Sequence, residues 1–141
     1  MILLDTNVLS EPLRPNPDQG VLTWLDEQAI ETLYLSTISL AELRYGVAVL
    51  PDGRRKDTLR ANLDGRIVPL FESRILTFDA VAADAYAALG ARARATGKAI
   101  GTADGFIAAI AAAHGFTVAT RDTSPFEAAG VPVINPWSRQ Q

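Results

Sequence analysis

The sequence predicts an α/β fold, a three-layer α/β/α sandwich around a central parallel sheet of about four or five strands. Three observations predict it. Short apolar runs recur at Ile2-Leu3-Leu4, Leu33-Tyr34-Leu35 and Thr117-Val118-Ala119-Thr120. Segments with apolar residues at helical spacing lie between them. Pro, Gly and capping residues punctuate the segment ends.

The elements follow in order. Residues 2–5 read as a short buried strand. Thr6, Asn7 and Ser10 start a short helix, halted near Pro12 and Pro15. Asn16-Pro17 has the form of a helix start, a capping Asn with Pro at the first helical position. That helix carries Val21, Leu22, Trp24 and Leu25 on one face. Residues 33–36 form a second strand. Residues 38–50 form a helix with Leu40, Leu43, Val47 and Leu50, stopped by Pro51-Asp52-Gly53. Residues 54–70 read as helical, with Leu59, Leu63, Ile67 and Leu70 inward. A short strand is expected at 74–77, then an Ala-rich helix from Asp79 to Thr96 that ends at Gly97. Thr102 is placed to cap the next helix, which ends at His114-Gly115. Strands at 117–120 and 132–135 complete the set. Repeats, linkers and low-complexity tails are absent, so one domain over 1–141 is expected.

Composition narrows the function. Hydrophobic residues make up 48% and charged residues 21%, a globular balance. The chain has no cysteine, which excludes disulfides and thiolate metal sites. A single histidine, His114, excludes a His-rich site, so any metal must be held by oxygens, which favours Mg²⁺ or Mn²⁺. The longest apolar run, Phe106 to Ala113, is far shorter than the ~20 residues of a membrane span. The N-terminus lacks the basic region of a targeting peptide. A soluble cytoplasmic protein with no membrane contact is expected. A net charge of −3 and a pI of 5.1 argue against a stand-alone phosphate-contact binder of nucleic acid. They argue less against a nuclease, because a catalytic metal also neutralises phosphate.

Four acids carry the chemistry: Asp5, Glu42, Asp104 and Asp122. Asp5 follows the first apolar run, and Glu42 lies shortly after the second. Asp104 opens the apolar helix, and Asp122 lies just past residues 117–120. Ligands of open α/β sheets bind beyond the carboxyl ends of the strands, so these acids can share one crevice. Carboxylates gathered there repel one another by about 4 kcal/mol per pair at ~4 Å and an effective dielectric of ~20. A hard divalent cation is the natural compensation.

Four blocks extend this pattern: Ile2-Leu3-Leu4-Asp5-Thr6-Asn7-Val8-Leu9-Ser10, Ile38-Ser39-Leu40-Ala41-Glu42-Leu43-Arg44-Tyr45-Gly46, Ala103-Asp104-Gly105-Phe106-Ile107-Ala108-Ala109, and Val118-Ala119-Thr120-Arg121-Asp122 followed by Phe126. In order and spacing they resemble the PIN-domain ribonucleases, in particular toxins of the VapC and FitB type from type II toxin–antitoxin systems. The resemblance covers nearly the whole chain. It implies a PIN-like sandwich, a homodimer, a Mg²⁺ or Mn²⁺ site and hydrolysis of RNA phosphodiesters. It also implies a cognate antitoxin that inserts a segment into the acidic site, with DNA reached only through that antitoxin. Two positions depart from the usual pattern. Gly105 stands where a larger residue is common, which would loosen the helix start. Asp122 stands where Asn is frequent, which adds negative charge.

On this reading Asp5 and Asp104 are the leading metal ligands, direct or through water. Glu42 and Asp122 hold metal waters or a second ion, and Thr6, Asn7 and Thr120 orient the acids or bond the phosphate. Each residue also has a structural reading. Ser39-Leu40-Ala41-Glu42 matches a capping box. Asp104 suits a helix dipole, and Asp122 suits a turn. Asp5 is harder to explain this way, because an acid ending a buried strand needs partners. The basic segments 54–66 and 92–98 suit either RNA guidance or solvated helix faces. Trp24 and Trp137 suit packing. Leu9, Leu13 and Leu43 suit either the core or a partner contact. A haloacid-dehalogenase-like phosphatase would want a second Asp where Asn7 stands and a suitably placed Lys, and the chain has only Lys56 and Lys98. A non-catalytic regulatory module, acting on DNA through its antitoxin, is the other rival.

Overall fold

The computed structural model describes residues 1–138. Five parallel strands lie in the order β3-β2-β1-β4-β5. They are β1 (Ile2–Leu4), β2 (Leu33–Ser36), β3 (Ile75–Leu76), β4 (Thr117–Ala119) and β5 (Val133–Ile134). The chain winds outward from β1 through β2 to β3, then returns to β4 beside β1. The order therefore reverses between β1 and β4, the point at whose carboxyl edge open sheets bind their ligands.

Side chains alternate across the sheet and assemble the three layers. Leu3 and Val118 face one side, against α6 (Ala80–Ala95), α7 (Thr102–His114) and α8 (Ser124–Ala128). Leu4, Leu33, Leu35 and Ala119 face the other. There they meet α1 (Thr6–Ser10), α2 (Gln19–Glu27) and the inner face of α3 (Thr37–Ala48). Residues Ile107 to Ala111 of α7 are completely buried, and their small side chains let α6 pack closely.

The helix starts correct the sequence expectations. The cap of α2 is Asp18, whose Oδ1 accepts from the Val21 N–H at 3.1 Å. The Asn16-Pro17 start is therefore displaced by two residues. The side chain of buried Glu11 accepts from the Asp18 N–H at 2.8 Å and closes the intervening loop. The cap of α7 is Gly101, with no side-chain cap bond, and Thr102 is already its first residue. The expected helix over 54–70 is interrupted. α4 (Arg54–Asn62) passes into a π-helical turn at Leu63–Ile67 and then α5 (Val68–Leu70). The extra residue in that turn shifts the following face by roughly 100°. Leu63 stays buried, but Leu70 swings out to 52% exposure instead of pointing inward.

Candidate active site

Asp5 ends β1 and caps α1, and it is only 5% exposed. Its backbone N–H continues the sheet ladder to Ala119 O at 2.9 Å. Both carboxylate oxygens are engaged. Oδ1 accepts from the Thr6 N–H at 2.7 Å, and Oδ2 accepts from the Thr120 hydroxyl at 2.9 Å. Thr120 is fully buried at the end of β4. Its oxygen accepts from the Asp122 N–H at 3.1 Å and faces the Asn7 side-chain amide at 3.4 Å. A hydroxyl has one proton. With two donors aimed at the oxygen, that proton is directed to Asp5. Asn7 also accepts from the Arg121 N–H at 3.2 Å, which ties the β1 exit to the β4 exit.

Glu42 approaches from the β2 side. The residue that caps α3 is Ser36, whose hydroxyl accepts from the Ser39 N–H at 3.1 Å. The Ser39-to-Glu42 capping box does not form, because the helix begins at Thr37 and Glu42 lies in its second turn. Glu42 instead accepts a short hydrogen bond from the Thr6 hydroxyl, which also lies 3.0 Å from the Ser39 hydroxyl. Asp104, in the first turn of α7, is half-buried, and Asp122 is exposed.

The electrostatics link all four acids. Burial pushes the Asp5 carboxyl up to about 6. The bonds from Thr120 and Thr6 oppose this rise, and the charges of Asp104 and Glu42 add to it. Asp104 is also raised, first by burial and then by Asp122 and Glu42. A helix N-terminus ordinarily favours a carboxylate, so at Asp104 burial and like charge outweigh the dipole.

The donors around Asp5 fit a hard cation: carboxylate, hydroxyl and amide oxygens of Glu42, Thr6, Thr120 and Asn7 meet there, and the charges of Asp104 and Glu42 disfavour an ionised Asp5 without a counter-charge. Among the described residues, no three acidic or histidine side chains converge tightly enough to cage an ion.

The other singled-out residues lie elsewhere. Gly105 is buried, and a Cβ there would stand 2.8 Å from Tyr86 Cε1. The helix start is not loosened: the Gly105 N–H bonds Gly101 O at 2.8 Å, and Tyr86 settles against Phe106 at 5.0 Å between ring centres. No residue of α4 is buried. Lys56 caps α3 through Ala48 O at 3.1 Å, and Arg44 on α3 pairs with Asp64 at 2.8 Å. His114 ends α7 beside Phe116. Trp24 is a core residue, as are Leu9 and Leu43, while Leu13 is half-buried. Sequence reasoning missed Ser36, which is fully buried with Ser39, and Ser39 meets the Thr6 hydroxyl that bonds Glu42. A Ser at a strand exit before a helical apolar pattern is the signal that could have identified Ser36 as the cap.

Comparison with known proteins identifies the fold and the family. The PIN domain family matches residues 2–131. A plasmid stability protein StbB of Pseudomonas syringae pv. tomato is 63% identical, over 97% of this chain and 99% of its own. A VapC ribonuclease, Y4jK, of Sinorhizobium fredii is 57% identical, over 97% and 98%. The crystal structure of FitAcB from Neisseria gonorrhoeae superposes with a TM-score of 0.96 at 54% identity, covering 99% of this chain and all of that one. The structure of FitAB bound to a DNA fragment superposes at 0.97 with 52% identity, over 100% and 99%. The chain belongs to the PIN-domain family, within the group that holds the VapC and FitB toxins.

Proposed function

We propose that this protein is a metal-dependent endoribonuclease and the toxin of a toxin–antitoxin pair. The observation that carries the reading is Asp5: a buried acid, held by two hydrogen bonds, with its carboxyl raised to about 6 beside two further acids. Burial and like charge both work against an ionised group at this position, which marks Asp5 as a functional-site residue. The name of the Sinorhizobium relative supports RNA as the substrate.

Asp5 and Asp104 are the groups that would hold Mg²⁺ or Mn²⁺, with Glu42 and Asp122 gathering its waters. The bound ion supplies neutralisation of phosphate charge and acidification of water. The residues supply placement. Thr120 and the Thr6 N–H fix both oxygens of Asp5, so that group does not reorganise when substrate arrives. Thr6 steers Glu42 toward Asp5, and Asn7 locks the two strand exits at one spacing.

The partner reading follows the relatives. The FitAB assembly on DNA supports a cognate antitoxin that carries the DNA contact. An apolar cleft of about 360 Å³, lined by Leu9, Leu13, Leu25, Leu70 and Phe71 with Arg66 beside them, suits an amphipathic antitoxin segment. A homodimer and action in the cytoplasm belong to the same reading; no helix among the described residues is long and apolar enough to cross a membrane.

The test is RNA cleavage by metal-stripped protein, with and without Mg²⁺ or Mn²⁺, beside folded Asp5→Asn protein. Cleavage that appears with metal and vanishes in the variant is the expected result. Metal-independent cleavage, or equal activity in the variant, would overturn it. A regulatory module without catalysis would keep its effect on cells after Asp5→Asn.

A further inference from the structure

Arg121 stands between Thr120, which holds Asp5, and Asp122. Its backbone is anchored by Asn7, and its side chain is exposed. A cation at this address would be expected to turn onto the acids. It does not: among the described residues Arg121 makes no ion pair. Its guanidinium lies over the Trp137 ring, 5.2 Å from the ring centre. Trp137 is held in turn by packing against the core and by its N–H bond to Asn135 Oδ1 at 2.9 Å. Stacking occupies the face of the guanidinium and leaves its N–H fork for another acceptor. The acids are thus left for a metal, and the positive charge is displaced to the β5 side of the crevice.

We propose that Arg121, stacked on Trp137, holds a phosphate of the RNA strand flanking the phosphate that is cut. This rests on the ribonuclease reading and adds to it a substrate-binding residue and a direction for the strand, from the acids toward β5. The chain needs such a contact, because its net charge of −3 offers RNA no general attraction. Arginine suits the task better than lysine: it stacks on the indole and grips phosphate with two donors at once.

The test combines binding and cleavage. A fluorescein-labelled single-stranded RNA of mixed sequence is titrated by anisotropy against Asp5→Asn protein in Mg²⁺, with and without Arg121→Ala or Arg121→Lys. Arg121→Ala is expected to weaken binding roughly tenfold and to flatten the salt dependence by about 0.7 in slope. Arg121→Lys should keep the slope and recover part of the affinity. In otherwise wild-type protein acting on pooled cellular RNA, Arg121→Ala should slow cleavage at low RNA and recover at saturating RNA, with Mn²⁺ affinity by electron paramagnetic resonance unchanged. Unchanged affinity and slope would overturn the inference. So would a rate loss that persists at saturation, which would mean that Arg121 only positions the acids. Intact wild-type cleavage with either of these results sinks this inference alone. A wild-type protein that cleaves no RNA sinks the ribonuclease reading together with it.

Discussion

Asp5 and Asp122 lie at the exits of neighbouring strands and share one hydroxyl, yet they live in opposite surroundings. Asp5 is buried, and both of its oxygens are bonded. Asp122 is exposed, and its recorded contact to Thr120 runs through its backbone N–H, not its carboxylate. The same side chain is therefore a rigid, destabilised group at one position and a solvated one at the other. Position along the chain separates them: Asp5 directly follows β1 and its N–H still bonds Ala119 O, whereas Asp122 lies three residues beyond the end of β4. The difference teaches where the site is pre-formed. The β1 exit is set by hydrogen bonds within the fold, Glu42 is tied to it through Thr6, and the Asp122 carboxylate faces solvent.

The largest test of this contrast is catalytic. Asp5→Asn should lower RNA cleavage at least about a hundredfold, since it removes charge worth several kcal/mol to the transition state. Asp122→Asn should cost much less in the same assay. Equal losses would break the comparison.

Next in size is the pH dependence of metal-free stability. Asp5 has a folded value near 6, above its ordinary 3.8, so the folded state binds the proton more tightly than the unfolded one. Its contribution is present in full below about pH 4 and is lost as pH rises through about 6. The loss is on the order of 3 kcal/mol. Urea melts across this window should show it, and Asp5→Asn should abolish this pH dependence. Added Mg²⁺ should restore stability to the unmutated chain at pH 7, and if it does not, the cation reading fails.

Thr120→Val sharpens the comparison from the other side. It removes the donor to Asp5 and the acceptor for the Asp122 N–H, and about 1–3 kcal/mol of stability is expected to go with them. Cleavage should fall roughly 10- to 100-fold, and Thr120→Ser should rescue both. Gly105→Ala is smaller. The helix gains roughly 1 kcal/mol from the extra methyl, but Tyr86 must move, so a net loss of about 1 kcal/mol is expected by thermal melting. The smallest effect belongs to Arg44→Ala. Its ion pair with Asp64 is half exposed on both sides, so stability should change by no more than about 0.5 kcal/mol.

Much of this was legible from the chain. Alternating short apolar runs and helical segments give a parallel sheet, because each pattern admits only one periodicity and the crossovers cover both faces. Asp5 stood out because a buried strand leads directly into it. Glu42 stands out with the other acids, but Ser39 to Glu42 alone also reads as a local cap. The strand decided the matter: β2 ends at Ser36, so the helix starts earlier and Glu42 is turned away from its own N-terminus. Leu70 misled for a similar reason, since a π-helical turn rotates the face without any mark in the hydrophobic pattern.

Local patterns therefore settled where the strands and most helices lie, since those choices depend on neighbours a few positions away. The composition limited the ligands open to any metal, since a chain without cysteine and with a single histidine offers oxygens. Only the packed fold decided which carboxylate is buried, which hydroxyl points where, and that Arg121 leans on Trp137 rather than on the acids. Burial and charge coupling depend on groups more than a hundred residues apart in the chain, such as Asp5 and Thr120, and only strand order brings them into contact.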